Sequence, residues 1–246
     1  MVTTKNLFSS FEPKTKKDWE KLVFNDLALL HYVSNGIKTD AYVTAEDNYN
    51  KAELIHFNQL MQKSNVQTTL LFEHPTYKTI PVAANTSLVD TIVLFLESIR
   101  KVEDIPFYAF ELTLDHQYLF QIASIRAIRV LMLRLWPCLE SNPNLIIPVF
   151  TKINFDQSIS EHQNMIPITY QLMVAMACNV NGIILGDSFK HSLSRLIQNA
   201  HQILVHESDI YSLKDPAGGS YFIDQLTSKL VDEAWEKLLQ IYPFSN

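Results

Sequence analysis

The sequence predicts an α/β fold: a partial or shortened TIM-type (β/α) barrel with parallel strands, plus an N-terminal helical arm. Three observations carry this reading. From Phe107 onward, strand-like and helix-like stretches alternate cleanly, and repeats of that length imply a parallel sheet with right-handed crossovers. Only four or five strand candidates lie between Gln67 and the end, whereas a closed eight-unit barrel typically needs ~250 residues. Hydrophobic residues make up 47% of the 246, enough for a real core. The chain divides into residues 1–47, an arm and helix, and residues 48–246, the shortened barrel domain.

Residues 1 to about 14 read as a mobile arm carrying Phe8 and Phe11. Thr15-Lys-Lys-Asp18 has the form of a capping box. The helix after it places Trp19, Leu22, Val23, Leu27 and Leu30 on one face. Gly36 to Asp47 reads as an extended segment and turn. Ala52 to Met61 has helical periodicity. Gln67 to Glu73 is apolar and β-rich, hence a buried strand, and Ile80 to Ala84 is a further short strand. Ser87 caps a helix to about Arg100, with Leu88, Ile92, Phe95, Leu96 and Ile99 inward.

Phe107 to Thr113 is the next strand, and Gln117 to Trp136 a long helix ended by Pro137. Leu145 to Phe150 reads as a strand made irregular by Pro148, which cannot donate to a ladder. A helix from Glu161 or Gln163 to Ala177, a strand over Gly182–Gly186 and a helix over His191–His206 follow. The last helix runs from Leu226 to Tyr242, with Leu226, Leu230, Ala234, Leu238 and Ile241 on one side.

Composition excludes several function classes. The net charge is −6 and no short window is dominated by lysine and arginine, which argues against a nucleic-acid or anionic-membrane surface. The start lacks the apolar core of a signal peptide, and no apolar run reaches membrane-spanning length. A cytoplasmic protein is expected. Cys138 and Cys178, each in an apolar helical context, read as buried reduced thiols rather than a disulfide or metal pair. The eight histidines show no metal-ligand spacing; His201 and His206 are five apart and so on different helix faces. No metal site is expected.

Two of the five glycines are adjacent, in Asp215-Pro-Ala-Gly-Gly-Ser-Tyr-Phe222. Asp215-Pro216 starts a turn, and Gly218-Gly219 permits positive φ or a close backbone approach. The stretch reads either as a tight interhelical turn without chemistry or as a docking point. The aromatic pair Tyr221-Phe222 has the look of a short buried strand or a docking segment.

Asp215, Pro216, Gly218, Gly219, Ser220 and Tyr221 match the signature D-P-x-G-G-S-Y-x-(V/I/M), and the stretch resembles the end of the barrel domain in methylmalonyl-CoA mutases. Phe107–Arg129, Phe150–Asn181 and Arg195–Ile210 also lie on that family almost without gaps. Together the resemblance covers roughly the last 140 residues. Phe11-Glu-Pro13 with Trp19, Val23, Asp26 and Leu27 resembles the opening of mutase small subunits. Gly36, Tyr42, Thr44, Glu46 and Asp47 match the segment leading into the family's barrel. The resemblance implies a barrel fold, adenosylcobalamin-dependent acyl-CoA rearrangement, and an arm that packs on a partner subunit. A helix packed on its own domain is the alternative for that arm.

The chemistry the resemblance implies is missing from the residues. No D-x-H-x-x-G motif, which supplies histidine to cobalt, occurs, and neither does T-x-R-P-W-T-x-R-Q-Y-A-G. Where the family reads F-F-M-E-I-A-K-L-R-A-A-R, this chain has Tyr118 to Arg129. It keeps Ile122, Ala123, Arg126, Ala127 and Arg129 but places Gln121 for the acid and Ser124 for the lysine. Thr151 and Asn164 survive from T-S-G-W-S-L-T-E-Q-D-P-Y-N-N, while the Gly-Trp and Glu-Gln-Asp-Pro are lost. Ile184 to Lys190 replaces L-H-T-N-(A/S)-F-D-E without its histidine. Arg195, Asn199 and Glu207 match a helix whose role the resemblance marks as structural.

No catalytic residue is assigned. Gln121, Ser124, Asp115 and His116 are the remaining cofactor-binding candidates, the last two as a polar pair at a strand end or as plain surface loop. The expectation is a catalytically degenerate, small-subunit-like homologue acting as a structural or assembly partner. It forms a homodimer, or a heterodimer with a mutase large subunit, and holds no cofactor on the isolated chain. The rivals are an acyl-CoA mutase chain sharing a partner's adenosylcobalamin, and a non-catalytic acyl-CoA or adenosyl-binding module.

Overall fold

The computed structural model describes residues 16–17, 31–34, 37–40, 68–71, 77–82, 88–99, 108–115, 117–138, 147–185, 191–208, 210 and 215–242. Nearly all of the N-terminal arm and its helix, the 52–61 helix, Gly36, the 42–47 segment, His116 and residues 186–190 lie outside the described residues.

Two strands that the sequence reading did not separate come first. β1 (His31–Ser34) and β2 (Ile37–Asp40) pair antiparallel, from Ser34 opposite Ile37 to His31 opposite Asp40. The residues between them are Asn35-Gly36, the dipeptide most favoured in two-residue hairpins. β2 packs against the last helix.

The main sheet has five parallel strands: β3 (Thr69–Leu71), β4 (Lys78–Val82), β5 (Tyr108–Thr113), β6 (Val149–Lys152) and β7 (Gly182–Ile184). Their order is β3-β7-β6-β5-β4. Strands β4 to β7 therefore follow one another as in a (β/α) barrel, and β3 joins beside β7, where the first strand of a barrel meets the last. Six residues separate Leu71 from Lys78. In a flat sheet the edge strands would stand about 19 Å apart, so at most ~24 Å of chain would be taut. A curled sheet relaxes that span. The architecture is α/β and compatible with a partial TIM-type barrel.

Helices α1 (Leu88–Ile99), α2 (Tyr118–Cys138), α3 (Glu161–Ala177), α4 (His191–Glu207) and α5 (Tyr221–Ile241) complete the described elements. α2 is central: it packs on α5, α3 and α1, and Ile125, Ile128, Leu131 and Leu135 are wholly buried. Strand alternation sends Tyr108, Phe110 and Leu112 into the main core, while Ala109, Phe150 and Ile184, with Leu71, form a smaller cluster on the other face.

Several boundaries differ from expectation for physical reasons. β6 begins after Pro148, whose carbonyl accepts from Phe110 N at 2.9 Å; the proline joins the ladder only as acceptor. α2 runs one residue past Pro137. Tyr221-Phe222 is the first turn of α5, which starts five residues before Leu226; the aromatic pair is no strand. Pro167 sits inside α3, which forgoes one backbone bond.

α3 is bounded by local chemistry. Ser160 and Gln163 make a reciprocal capping box. At the other end Asn179 takes φ 48°, tolerated best by Gly and Asn. The Asn179 and Val180 amides donate to Met176 and Ala175 carbonyls at 3.0 and 3.2 Å, the two bonds of a Schellman stop.

Candidate functional site

Parallel α/β sheets place ligands beyond the carboxyl ends of their strands, and Asp115 lies just past β5. Its Oδ1 accepts from the Gln117 amide at 2.7 Å and from Gln121 Nε2 at 2.6 Å. The carboxylate thus holds the entry of α2, and Gln121, buried in its first turn, is bound to it. Ser124 donates to the Phe120 carbonyl of its own helix at 2.8 Å. Asp115 and Gln121 are brought together, Ser124 stands apart, and His116 lies outside the described residues. The buried Gln121 Oε1 and Thr151 Oγ1 make no hydrogen bond among the described residues.

An acid at position 121 in this geometry would meet the Asp115 carboxylate as a like charge in a buried place. Gln121→Glu is therefore expected to cost about 1–3 kcal/mol at neutral pH. Urea denaturation of the variant at pH 7 and at low pH checks this; the deficit should shrink in acid, where a carboxyl at 121 is protonated. Equal stability at pH 7 would contradict it.

The loop after β6 is pinned by amides from α3. Gln171 accepts from Asn154 N at 2.7 Å and donates to its carbonyl at 3.0 Å. Asn164 does the same with Asp156, at 3.0 and 2.8 Å. Each side chain imitates a backbone partner, so the loop that follows the central strand is held by its own chain.

The glycine turn is built around charge. Asp215, Pro216, Ala217 and Gly218 form a turn closed by Gly218 N to Asp215 O at 3.0 Å, with aspartate first, proline second and glycine last, as such turns favour. Gly219 has φ +86°. A Cβ on Gly218 would stand 2.8 Å from Asp215 Oδ2. The Asp215 carboxylate pairs with Arg126 Nη1, and Arg126 Nη2 reaches Asp224 of α5 at 2.8 Å. Arg126 is only 2% exposed. One guanidinium thus fastens the turn and the first turn of α5 to the middle of α2. Ser220 is the N-cap residue; its carbonyl accepts from Asp224 N at 2.8 Å, but its hydroxyl makes no cap bond. Tyr221 is exposed.

Arg129, one turn on from Arg126, donates to the carbonyls of Cys178 and Asn179. It places positive charge on the carbonyl end of α3, where the helix dipole favours it. Burial pushes the Cys178 thiol up to about 12, so it is inert as a nucleophile. His201 is buried and His206 exposed, as their spacing requires.

A family profile described as Methylmalonyl-CoA mutase matches residues 102–243. The chain belongs to the methylmalonyl-CoA mutase family. The methylmalonyl-CoA mutase of Rhizobium meliloti is 25% identical over 141 residues, 52% of this chain and 19% of that protein. The methylmalonyl-CoA mutase small subunit of Propionibacterium freudenreichii subsp. shermanii is 38% identical over 47 residues, 19% of this chain and 7% of that protein. A probable small subunit from Mycobacterium bovis gives the same identity over 47 residues, 8% of its length. The matched segments thus span under a fifth of each of these mutase chains.

In this mutase-family chain, Arg126, Arg129 and Asp215 belong to the matched region and serve packing. Sequence reasoning noted both arginines only as matches; a pair of charges one turn apart in an apolar helix was the available signal. Asp224 carried none. Among the described rim residues, Asp115 and Gln121 bond to each other and Ser124 to its own helix, while Gln121 Oε1 is buried without a partner.

Proposed function

We propose that this chain is a catalytically degenerate, small-subunit-like member of the mutase family that acts by association with a mutase chain. The observation that carries the reading is the contrast between two parts of the matched region. Arg126 ties Asp215 and Asp224 to α2 and Arg129 holds the end of α3, whereas at the strand rim the described pair Asp115 and Gln121 bond to each other. Such a chain retains the packing that positions a barrel, and its described rim residues Asp115 and Gln121 bind each other instead of standing open to a cofactor. Adenosylcobalamin chemistry, when it occurs in the assembly, belongs to the partner, and a cytoplasmic location accords with that role. No described helix is long and apolar enough to cross a membrane.

The names of the matched relatives support a subunit role, since two of them are called small subunits. Co-expression with a full-length mutase large chain tests it. A tagged copy of this chain should bring the mutase through two successive columns in fixed ratio. Elution of the two chains independently, at concentrations well above micromolar, would overturn the reading.

A further inference from the structure

Leu193, Ile197 and Leu204 form the buried stripe of α4. Helical spacing puts His201 in the same stripe, four residues after Ile197 and three before Leu204, where an apolar side chain belongs. The imidazole is 6% exposed, and neither Nδ1 nor Nε2 makes a hydrogen bond among the described residues. The Thr68 backbone, at the entry of β3, stands beside the ring without reaching hydrogen-bond geometry. The described surroundings supply no acid. Thr68–Leu71 and β7 carry no ionisable group, and α3, packed beside α4, has only Tyr170 after Glu161 and His162. On α4 itself the others are His191 and the exposed Arg195, His206 and Glu207. Burial lowers the His201 pKa below the ordinary 6.5, the Thr68 backbone opposes this, and His206 adds to it as a like charge.

We propose that His201 is an acid-sensitive latch: the neutral ring keeps α4 closed over the entry of β3, and its protonation releases the two so that the ring reaches water. A cationic imidazole carries two N–H donors, and in this stripe neither meets an acceptor in hydrogen-bond geometry. Keeping an unpaired ion buried costs more than opening a short stretch of edge. β3 is the strand that gives way, because it has three residues and is paired on one side only, with β7. The Thr68 hydroxyl, bonded to the Val180 carbonyl at 2.8 Å, fixes its start. α2 and α5 are fastened to each other through Arg126 and stay closed. Release uncovers the backbone edge of β7, a template for further strand pairing. Because the folded pKa is depressed, closure is complete above the ordinary 6.5 and weakens as pH falls below it. The latch is independent of association with a mutase chain.

Hydrogen exchange of the full chain, read by segment at pH 7.5 and 5.5 and corrected for the intrinsic effect of pH on exchange, tests it. In wild type the opening of residues 68–71 and 193–205 should rise by up to about tenfold, the most that one histidine allows one unit below its ordinary pKa. α2 and α5 should keep their protection. His201→Leu, which completes the apolar stripe, should abolish the rise, and His206→Gln should retain it. NMR titration of the His201 ring in wild type gives a reading that does not depend on how the variants fold, and its midpoint should lie below 6.5. No rise in wild type, an equal rise in His201→Leu, an opening that spreads equally to α2 and α5, or a ring that titrates at or above 6.5 would overturn the proposal.

Discussion

Replacing Arg126 with alanine is expected to destabilise the fold by about 3–5 kcal/mol, the usual cost of removing one partner from a buried ion pair. The loss is large because one guanidinium serves two carboxylates, Asp215 and Asp224, in a site that water hardly reaches. Removal leaves both acids facing each other without the guanidinium that bonds them. Burial pushes the Asp224 carboxyl up, against the pull of Arg126. A group with a raised folded pKa contributes stability that is full below its ordinary value and is lost as pH rises through the raised value. Asp224→Asn should therefore flatten the decline in stability above the ordinary carboxyl range. Urea denaturation of Arg126→Ala and Asp224→Asn across pH checks both. An Arg126→Ala deficit under 1 kcal/mol would show that the cluster does not anchor the turn.

Gly218→Val is expected to be the other severe change, at about 3 kcal/mol, and Gly219→Val a milder one at about 1–2 kcal/mol. The mechanisms differ. At Gly218 the new Cβ meets Asp215 Oδ2 and the Asp215 carbonyl, so the carboxylate must shift and its pair with Arg126 is strained. At Gly219 nothing lies within 4 Å of a Cβ, and the cost is that of a β-branched residue at φ +86°. Placing Gly218→Val on an Asp215→Ala background separates them. There its cost should fall by more than half, whereas Gly219→Val should keep its own. Thermal scans in which both valine variants melt like wild type would reject a structural role for the turn.

What the sequence disclosed followed from periodicity and turn chemistry. The alternation from Phe107 to His206 was legible because each strand is a short apolar run and each helix repeats at 3.6 residues. The β1–β2 hairpin was passed over although Asn35-Gly36 marks it, because His31–Ser34 follows directly on a run of helical spacing. The start of β6 was misplaced by Pro148, since apolar character continues across a residue that cannot donate. The start of α5 was missed because aromatic side chains favour strands locally, while Asp224 in its first turn is tied to Arg126, 98 residues earlier. Of the site, turn geometry was legible from Asp-Pro and Gly-Gly. The charge that holds the turn was not: its partners stand 89 and 98 residues away, and no periodic pattern links them. Gln121 and Ser124 were visible as replacements, but the closure of Asp115 on Gln121 is a matter of three dimensions.

The central claim is that this chain keeps the family's packing and has given up its cofactor rim. Calorimetric titration of the full chain with adenosylcobalamin tests it most directly. The account predicts no detectable heat of binding to the chain alone. A dissociation constant below about 10 μM, worth roughly 7 kcal/mol, would contradict it and favour a working mutase chain.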